Sequence, residues 1–315
     1  MKIIVTGSIA YDYLMSFPGK FTEQILPEHL HRLSVSFLVD SMDKRRGGCA
    51  PNIAYTLALL GEKPYLMGTA GEDFGDYRQW LEAAGIDTSL CEQINGKFTA
   101  SFFCSTDTSN NQIASFYTGA MSDAGRLSFR NAKDAKLAII SPNDPGAMIN
   151  YAGECRTLRI PFIFDPGQQC SRMSGEELKE GIAGAHILIC NDYEFELIRQ
   201  KSGLGEQEVL QQAEMLIITK GEKGCTVFTS TGQVDVPAVE PRRIADPTGV
   251  GDAFRGGLMK GFAMGLPAGA AARIGSVAAT YCLEHLGGTY HSYSWDEFRK
   301  RYEEHFGALA AGAAK

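Results

Sequence analysis

Residues 245–257 read Ala245-Asp246-Pro247-Thr248-Gly249-Val250-Gly251-Asp252-Ala253-Phe254-Arg255-Gly256-Gly257, a glycine-rich bend that opens a helical pattern. Gly249 and Gly251 let the chain turn tightly, so the N–H groups of Gly249, Val250, Gly251 and Asp252, unpaired at a helix start, can converge on an anion. The helix dipole adds partial positive charge there, which suits a phosphoryl group gathering charge in flight. Asp252 stands at the same end, where its carboxylate is favoured and can accept a proton from a substrate hydroxyl. Alone, GxGD is equally an ordinary helix cap on a tight loop, so the surroundings must decide.

Working outward, short apolar runs at 2–6, 64–68, 136–141, 161–164, 186–190 and 215–219 alternate with helical patterns near 49–60, 73–84, 145–158, 174–183, 192–201, 252–264, 268–286 and 294–306. The runs are apolar throughout rather than alternating, which predicts strands covered on both faces and hence a doubly wound, mainly parallel α/β fold. Two stretches break the rhythm: 13–46, with Val35-Ser36-Phe37-Leu38-Val39, and 97–118, where FTASFFCST and IASFYT flank a turn-rich DTSNN. The second is a β-hairpin signature. Together they predict a small β-sheet lid, with 1–12, 47–96 and 119–309 forming the large domain and 310–315 a frayed tail. The alternative is two surface loops with β-character. Gly256, Gly257 and Gly261, costly inside a helix, suggest close backbone packing against the sheet.

The chain has 315 residues and a net charge of −7, with 44% hydrophobic and 21% charged residues, which excludes a disordered, collagenous or coiled-coil protein. Net acidity without a basic run argues against nucleic acid and for a small-molecule partner. Eight scattered cysteines without a CxxC pair read as reduced thiols. No signal-peptide core or run of about 18 apolar residues appears, so a cytoplasmic protein without a membrane anchor is expected.

ADPTGVGDAF resembles the DTTGAGDxF signature of the ribokinase-like (PfkB) family of carbohydrate and nucleoside kinases, departing from it mildly at Pro247 and Val250. Arg46-Gly47-Gly48-Cys49-Ala50-Pro51-Asn52-Ile53-Ala54 is similar to the family's GG motif, and Gly7-Ser8-Ile9-Ala10-Tyr11-Asp12 to its opening strand and acidic residue. Asn191-Asp192-Tyr193-Glu194 resembles NxxE, and Thr219-Lys220-Gly221 with Gly224 resembles the nucleotide-binding turn. Within the family, GSIAYD, residues 25–39, GGCAPNIAYTLALLG, Asn110-Asn111-Gln112-Ile113 and Phe164-Asp165-Pro166-Gly167-Gln168 look most like the prokaryotic adenosine and nucleoside kinases.

The resemblance implies ATP and Mg²⁺ as donor and cofactor, Asp252 as general base, and Asp12 and Asn52 gripping sugar hydroxyls. Gly47 and Gly48 would admit substrate close to the backbone. Asn191 would lie near the donor phosphates, Glu194 would position Mg²⁺ through water, and Thr219, Gly221 and Gly224 would bind nucleotide. Asp246 and Thr248 match the place where some relatives hold a monovalent cation. From the residues themselves, Arg255 shares a helix face with Asp252 and either holds phosphate or substrate oxygens or pairs with a carboxylate. Gln168, after a strand, could read a base edge or hydroxyl. The lid aromatics Phe102, Phe116 and Tyr117, with Phe37, either stack on a purine or fill the small sheet's own core, and the resemblance at 110–113 makes Gln112 a substrate-binding candidate. The expected activity is phosphoryl transfer from ATP to the 5′-hydroxyl of a ribonucleoside, most plainly adenosine, by a monomer or homodimer. A sugar kinase of the same fold and a non-catalytic nucleoside-binding sensor are the alternatives.

Overall fold

Ile3, Ile4 and Val5 are fully buried although neighbouring side chains on a strand point to opposite faces, so both faces of this strand must be covered. The computed structural model, which describes residues 1–25, 27–32, 34–132 and 134–309, shows what covers them. The proposed tail, 310–315, lies outside the described residues. In chain order the strands are β1 (Ile3–Thr6), β2 (Ala10–Ser16), β3 (Ser41–Gly47), β4 (Tyr65–Met67), β5 (Thr69–Ala70), β6 (Glu92–Gln93) and β7 (Ala100–Thr106). They continue as β8 (Gln112–Tyr117), β9 (Leu137–Ile140), β10 (Phe162–Phe164), β11 (Ile187–Asn191), β12 (Met215–Thr219), β13 (Cys225–Thr229) and β14 (Gly232–Val236). The helices are α1 (Phe21–Gln24), α2 (Cys49–Leu59), α3 (Gly75–Ala83), α4 (Pro145–Leu158) and α5 (Gly175–Ile182). The remainder are α6 (Asp192–Ser202), α7 (Glu206–Leu210), α8 (Val250–Ala263), α9 (Ala268–Leu283) and α10 (Trp295–Phe306).

The main sheet has the order β14-β13-β12-β11-β10-β9-β1-β4, parallel from β4 through β12. Ile4, Ala138, Ile140, Phe162, Phe164 and Leu188 pack into one core with α4, α5 and α6. Val5, Leu137, Ile139, Ile163, Ile187 and Ile189 pack into the other with α2, α8 and α9. Each such side chain contributes roughly 1.5–3 kcal/mol on burial, which is why uninterrupted apolar runs make central strands. Strand order reverses at β1, flanked by β4 on one side and β9 on the other, and such a reversal opens a crevice at the carboxyl edge. The antiparallel hairpin β13–β14 extends the opposite edge. It escaped the sequence reading because Gly232–Val236 is exposed until its last residue.

A second sheet of order β3-β2-β7-β8 forms the lid, and the DTSNN turn joins β7 to β8 as the hairpin pattern implied. Asp107 makes the turn by accepting from the N–H groups of Ser109 and Asn111, each at 2.8 Å, and Asn110 takes the left-handed conformation that asparagine tolerates. Val35–Val39 is not a strand. Phe37 packs on Phe17 and Phe21 instead, and the strand is the polar segment SMDKRRG of β3, which needs no apolar face at a mostly exposed edge. β2 begins at Ala10 rather than at residue 13, so Asp12 rides on the lid, and β3 passes through Gly48 directly into α2.

The glycines of α8 do not face the sheet, as their positions had suggested; they face helices. A Cβ at Gly256 would meet Thr56 Cβ at 2.7 Å and Ile53 O at 2.9 Å in α2. One at Gly257 would meet Ile274 O at 2.7 Å, and one at Gly261 would meet Ala271 Cα at 2.4 Å, both in α9. Three helices thus approach to backbone contact, which fixes where α8 begins. The Gly257→Ala variant should lose about 1–3 kcal/mol in urea unfolding despite a gain of ~1 kcal/mol in helix propensity. Gly75→Ala, with nothing within 4 Å of its Cβ, should be neutral or stabilising by about 0.5–1 kcal/mol. Equal responses at the two positions would contradict this packing.

Candidate active site

The GG motif turns the chain from the lid into α2. Gly48, at φ 96°, turns so close to Ser8 that a Cβ there would lie 2.4 Å from Ser8 O, and Cys49 N–H donates to Ser8 Oγ at 3.2 Å. One turn on, Asn52 is 5% exposed and donates from Nδ2 to Asp252 Oδ2 at 2.8 Å, while its buried Oδ1 has no hydrogen-bond partner among the described residues. Gly288 lies against this amide, and a side chain there would have its Cβ 2.5 Å from Asn52 Cγ.

Gly249 caps α8 in the left-handed conformation, φ 77°, and its carbonyl accepts the first helical bond from Ala253 N–H at 2.8 Å. Val250 N–H reaches only Pro247 O, at 3.4 Å, and among the described residues no protein acceptor lies against the N–H groups of Gly249, Gly251 or Asp252. Gly251 is exposed, so this end of the helix is open to a ligand. Burial pushes the Asp252 carboxyl up to about 7, and the nearby negative charges of Asp165 and Asp12 add to the shift, against the Asn52 hydrogen bond and the Arg255 charge. A carboxyl so tuned exchanges a proton near neutrality.

Arg255 does not reach for substrate. Its Nε and Nη2 hold the Asp165 carboxylate at 2.5 and 2.6 Å, its Nη1 donates to Gly251 O at 3.0 Å, and both side chains are buried. Burial works against the guanidinium's charge, but Asp165 more than compensates and holds its proton more tightly than usual. The pair ties the first turn of α8 to the carboxyl end of β10. The sequence reading quoted Asp165 within a motif without giving it a role; its position just after a strand, as at Gln168, was the available signal. Gln168 itself is exposed at that strand end.

At the mouth of the cleft, register places Arg45, Asp12, Phe102 and Phe116 opposite one another on successive lid strands and hence on one face. Burial pushes Asp12 up to about 6, offset partly by Arg45 and increased by Asp246. Gly47 adjoins Asp12, whose Oδ2 would lie 2.5 Å from a Cβ there. Arg45, which the sequence reading missed, is 3.6 Å from Asp246 Oδ2 and 3.3 Å from Asp43 Oδ2. Asp246 Oδ1 accepts from Thr248 N–H at 2.8 Å and Oδ2 from Gly287 N–H at 3.0 Å. Burial alone would raise its carboxyl; Thr248, Gly287 and Arg45 bring it below the usual range. Phe116 and Tyr117 are exposed on opposite faces of β8. Gln112 is four positions beyond Phe116 on β8, about 13 Å away at the hairpin end, where Nε2 is 3.5 Å from Thr106 Oγ1. It does not join the cluster.

Along the same carboxyl edge, Asn191 and Glu194 start α6 with a reciprocal capping box: Asn191 Oδ1 accepts from Glu194 N–H at 2.7 Å and Glu194 Oε2 from Asn191 N–H at 2.8 Å. Glu194 is nevertheless near enough to Asp165 and Arg255 for its charge to act on both. Thr219 ends the neighbouring β12, and Gly221 and Gly224 follow with φ 58° and 81°. At Gly224 a Cβ would lie 2.0 Å from Val236 O, so this turn can only be glycine.

Residues 9–295 match the model of the pfkB family of carbohydrate kinases. The chain belongs to that family. It is therefore a kinase, an enzyme that transfers a phosphoryl group from ATP to an alcohol. Among solved structures similar to it is a nucleoside kinase from Burkholderia thailandensis in complex with inosine, at 38% identity and TM-score 0.88, covering 98% of this chain and all of that one. The Methanocaldococcus jannaschii nucleoside kinase structure, described as an archaeal member of the ribokinase family, aligns at 27% identity and TM-score 0.87 over 97% of this chain and 99% of that one. A curated nucleoside kinase from the same organism is 28% identical over 306 residues, 96% of this chain and 97% of its own length.

Because the Asp252 carboxyl holds its proton up to about 7 in the folded protein and loses it near 3.8 otherwise, the ligand-free fold binds the extra proton between those values. Its stability accordingly falls as pH rises through that window. The Asp252→Asn variant, which keeps the oxygen for Asn52, should melt roughly 3 °C or more above the parent at pH 8 and together with it near pH 4. A constant difference across pH would show that this carboxyl is not shifted.

Proposed function

We propose that this kinase phosphorylates the 5′-hydroxyl of a ribonucleoside, adenosine or a closely similar purine nucleoside, with Asp252 as the general base. The observation that carries this reading is the Asn52–Asp252 contact at the open start of α8, where a carboxyl tuned to neutrality stands beside unpaired amides. An alcohol held there would give its proton to Asp252 as the phosphoryl group moves onto its oxygen, while the N–H groups of Gly249 and Gly251 stabilise the charge of the migrating group. Arg255 acts indirectly, by holding the turn that aims those amides. Asp12, on the lid, would grip the sugar diol through its two oxygens.

Two features favour a nucleoside over a free sugar. Phe102 and Phe116 share the Asp12 face of the lid and offer rings to a base, and the similar Burkholderia thailandensis and Methanocaldococcus jannaschii proteins are named nucleoside kinases. Among the described residues, the one basic residue on that face of the lid sheet, Arg45, already pairs with Asp43 and Asp246, so that face offers no free cation to a sugar phosphate.

The cleft fits a magnesium ion held mainly by phosphate and water. Both oxygens of Asp165 are taken by Arg255, whereas Glu194 engages one oxygen in its cap and keeps Oε1 for an ordered water. Mg²⁺ bound in this way takes most of its oxygens from phosphate and water and needs no cage of protein carboxylates. When bound, the ion would neutralise the donor phosphates. The Asp246 carboxylate is a poor ligand for a monovalent cation: it already accepts two backbone N–H groups and lies beside Arg45.

ADP formation should be measured with ATP, Mg²⁺ and adenosine, inosine, cytidine, ribose or fructose in turn. Turnover should be highest with the purine nucleosides; turnover with sugars alone would select a sugar kinase, and binding without ADP a sensor. Asp252→Asn should lower kcat at least about a hundredfold with little change in nucleoside Kd. In the parent enzyme kcat/KM should fall about tenfold per unit as pH drops below about 7, following protonation of Asp252. A flat profile from pH 5 to 8 would remove the proposed base.

A further inference from the structure

At the amino edge of the main sheet, opposite the cleft, lies a cavity of about 600 Å³ whose lining includes Lys136, Arg156, Arg159, His186, Ile160 and Phe262. We propose that it is a second binding site, for a phosphorylated small molecule with an aromatic body such as a nucleoside monophosphate. Its volume suits such a ligand.

Three observations converge on that chemistry. The charge is local: the chain carries −7 overall, yet Lys136 and Arg159 meet here with no ion pair to either side chain among the described residues, and the sole acidic residue of the lining, Glu214, is bound to His186 Nδ1 at 2.9 Å. Arg156 stands at the same rim, its Nη1 fixed by the carbonyls of Glu180 and Ala183, each at 2.8 Å, so part of the guanidinium is preorganised without consuming its charge. Arg159 sits in the left-handed region at φ 56° just after α4, where glycine is the unstrained choice. That conformation costs on the order of 1 kcal/mol and holds a long cationic side chain at the rim.

The walls supply the rest of the ligand's chemistry. Ile160 is buried beneath the opening, and Phe262 meets His186 edge to face at 5.7 Å, leaving an apolar and aromatic wall beside the cations. The cavity also spans both helical layers, with Arg156 on α4 and Phe262 on α8. Phe262 is on the helix whose first turn carries Asp252, about 15 Å along the axis from it. A ligand against this ring therefore bears on the element that carries the proposed base.

The test reads the cavity directly, through the ring-proton NMR signals of His186, assigned with a His186→Gln variant. Adenosine 5′-monophosphate should shift them saturably, with Kd on the order of 1 mM or tighter, equally without adenosine and with saturating adenosine filling the cleft, which separates this site from the cleft. The Lys136→Gln/Arg159→Gln pair should weaken that binding at least about tenfold while leaving ADP formation and Tm close to the parent's. Adenosine should leave the signals unmoved, and inorganic phosphate should bind at least about tenfold more weakly than the monophosphate. No saturable shift at about 10 mM, a shift that survives the double substitution, or equal binding of inorganic phosphate would overturn the proposal.

Discussion

A single hydrogen bond between residues 200 positions apart, Asn52 Nδ2 to Asp252 Oδ2, depends on three backbones coming closer than side chains normally allow. Gly249 and Gly288 nearly touch, Gly288 lies on the Asn52 amide, and Gly256 rests on α2. Only then does the first turn of α8 face Asn52. The glycines that weaken α8 as an isolated helix therefore set the position of its positive end, and local propensity yields to tertiary packing.

The electrostatics follow from the same approach. Asp252, Asp165 and Asp12 gather around one cleft, with Arg255 bound to Asp165 and Arg45 to Asp246. Each cation is committed to a carboxylate that is not the proposed base. Asp252 keeps a neutral amide as its hydrogen-bond partner, and its proton affinity rises. A guanidinium turned onto Asp252 instead would have held it as a permanent anion and a poorer base at neutral pH.

The parallel strands were legible because a strand buried on both faces has to be apolar without alternation, as 215–219 and 186–190 illustrate. The open start of α8 was legible because Gly249, Gly251 and an aspartate at a helix start leave bare amides beside a carboxylate, a local arrangement that needs no distant partner. β3 and β14 were not, since exposed edge strands carry no burial pattern; SMDKRRG looks like a loop. Arg255 was visible as a residue and ambiguous in partner, because a pair with Asp165 depends on β10 and α8 ending side by side, which spacing along the chain does not encode. Arg45 was hidden for the same reason: its significance comes from register with Asp12 and from Asp246 across the cleft.

β2 leaves β1 after three residues, and β3 enters α2 through one glycine. The lid is thus joined to the large sheet by very short tethers on the side where Asp12 sits, while its free hairpin end extends away. A plate held in this way would swing from its attached edge, its tip sweeping far while Asp12 moves little. Small acceptors would then be oriented near the pivot, and the outer margin would be left to accommodate differences in the size of whatever is attached to the sugar.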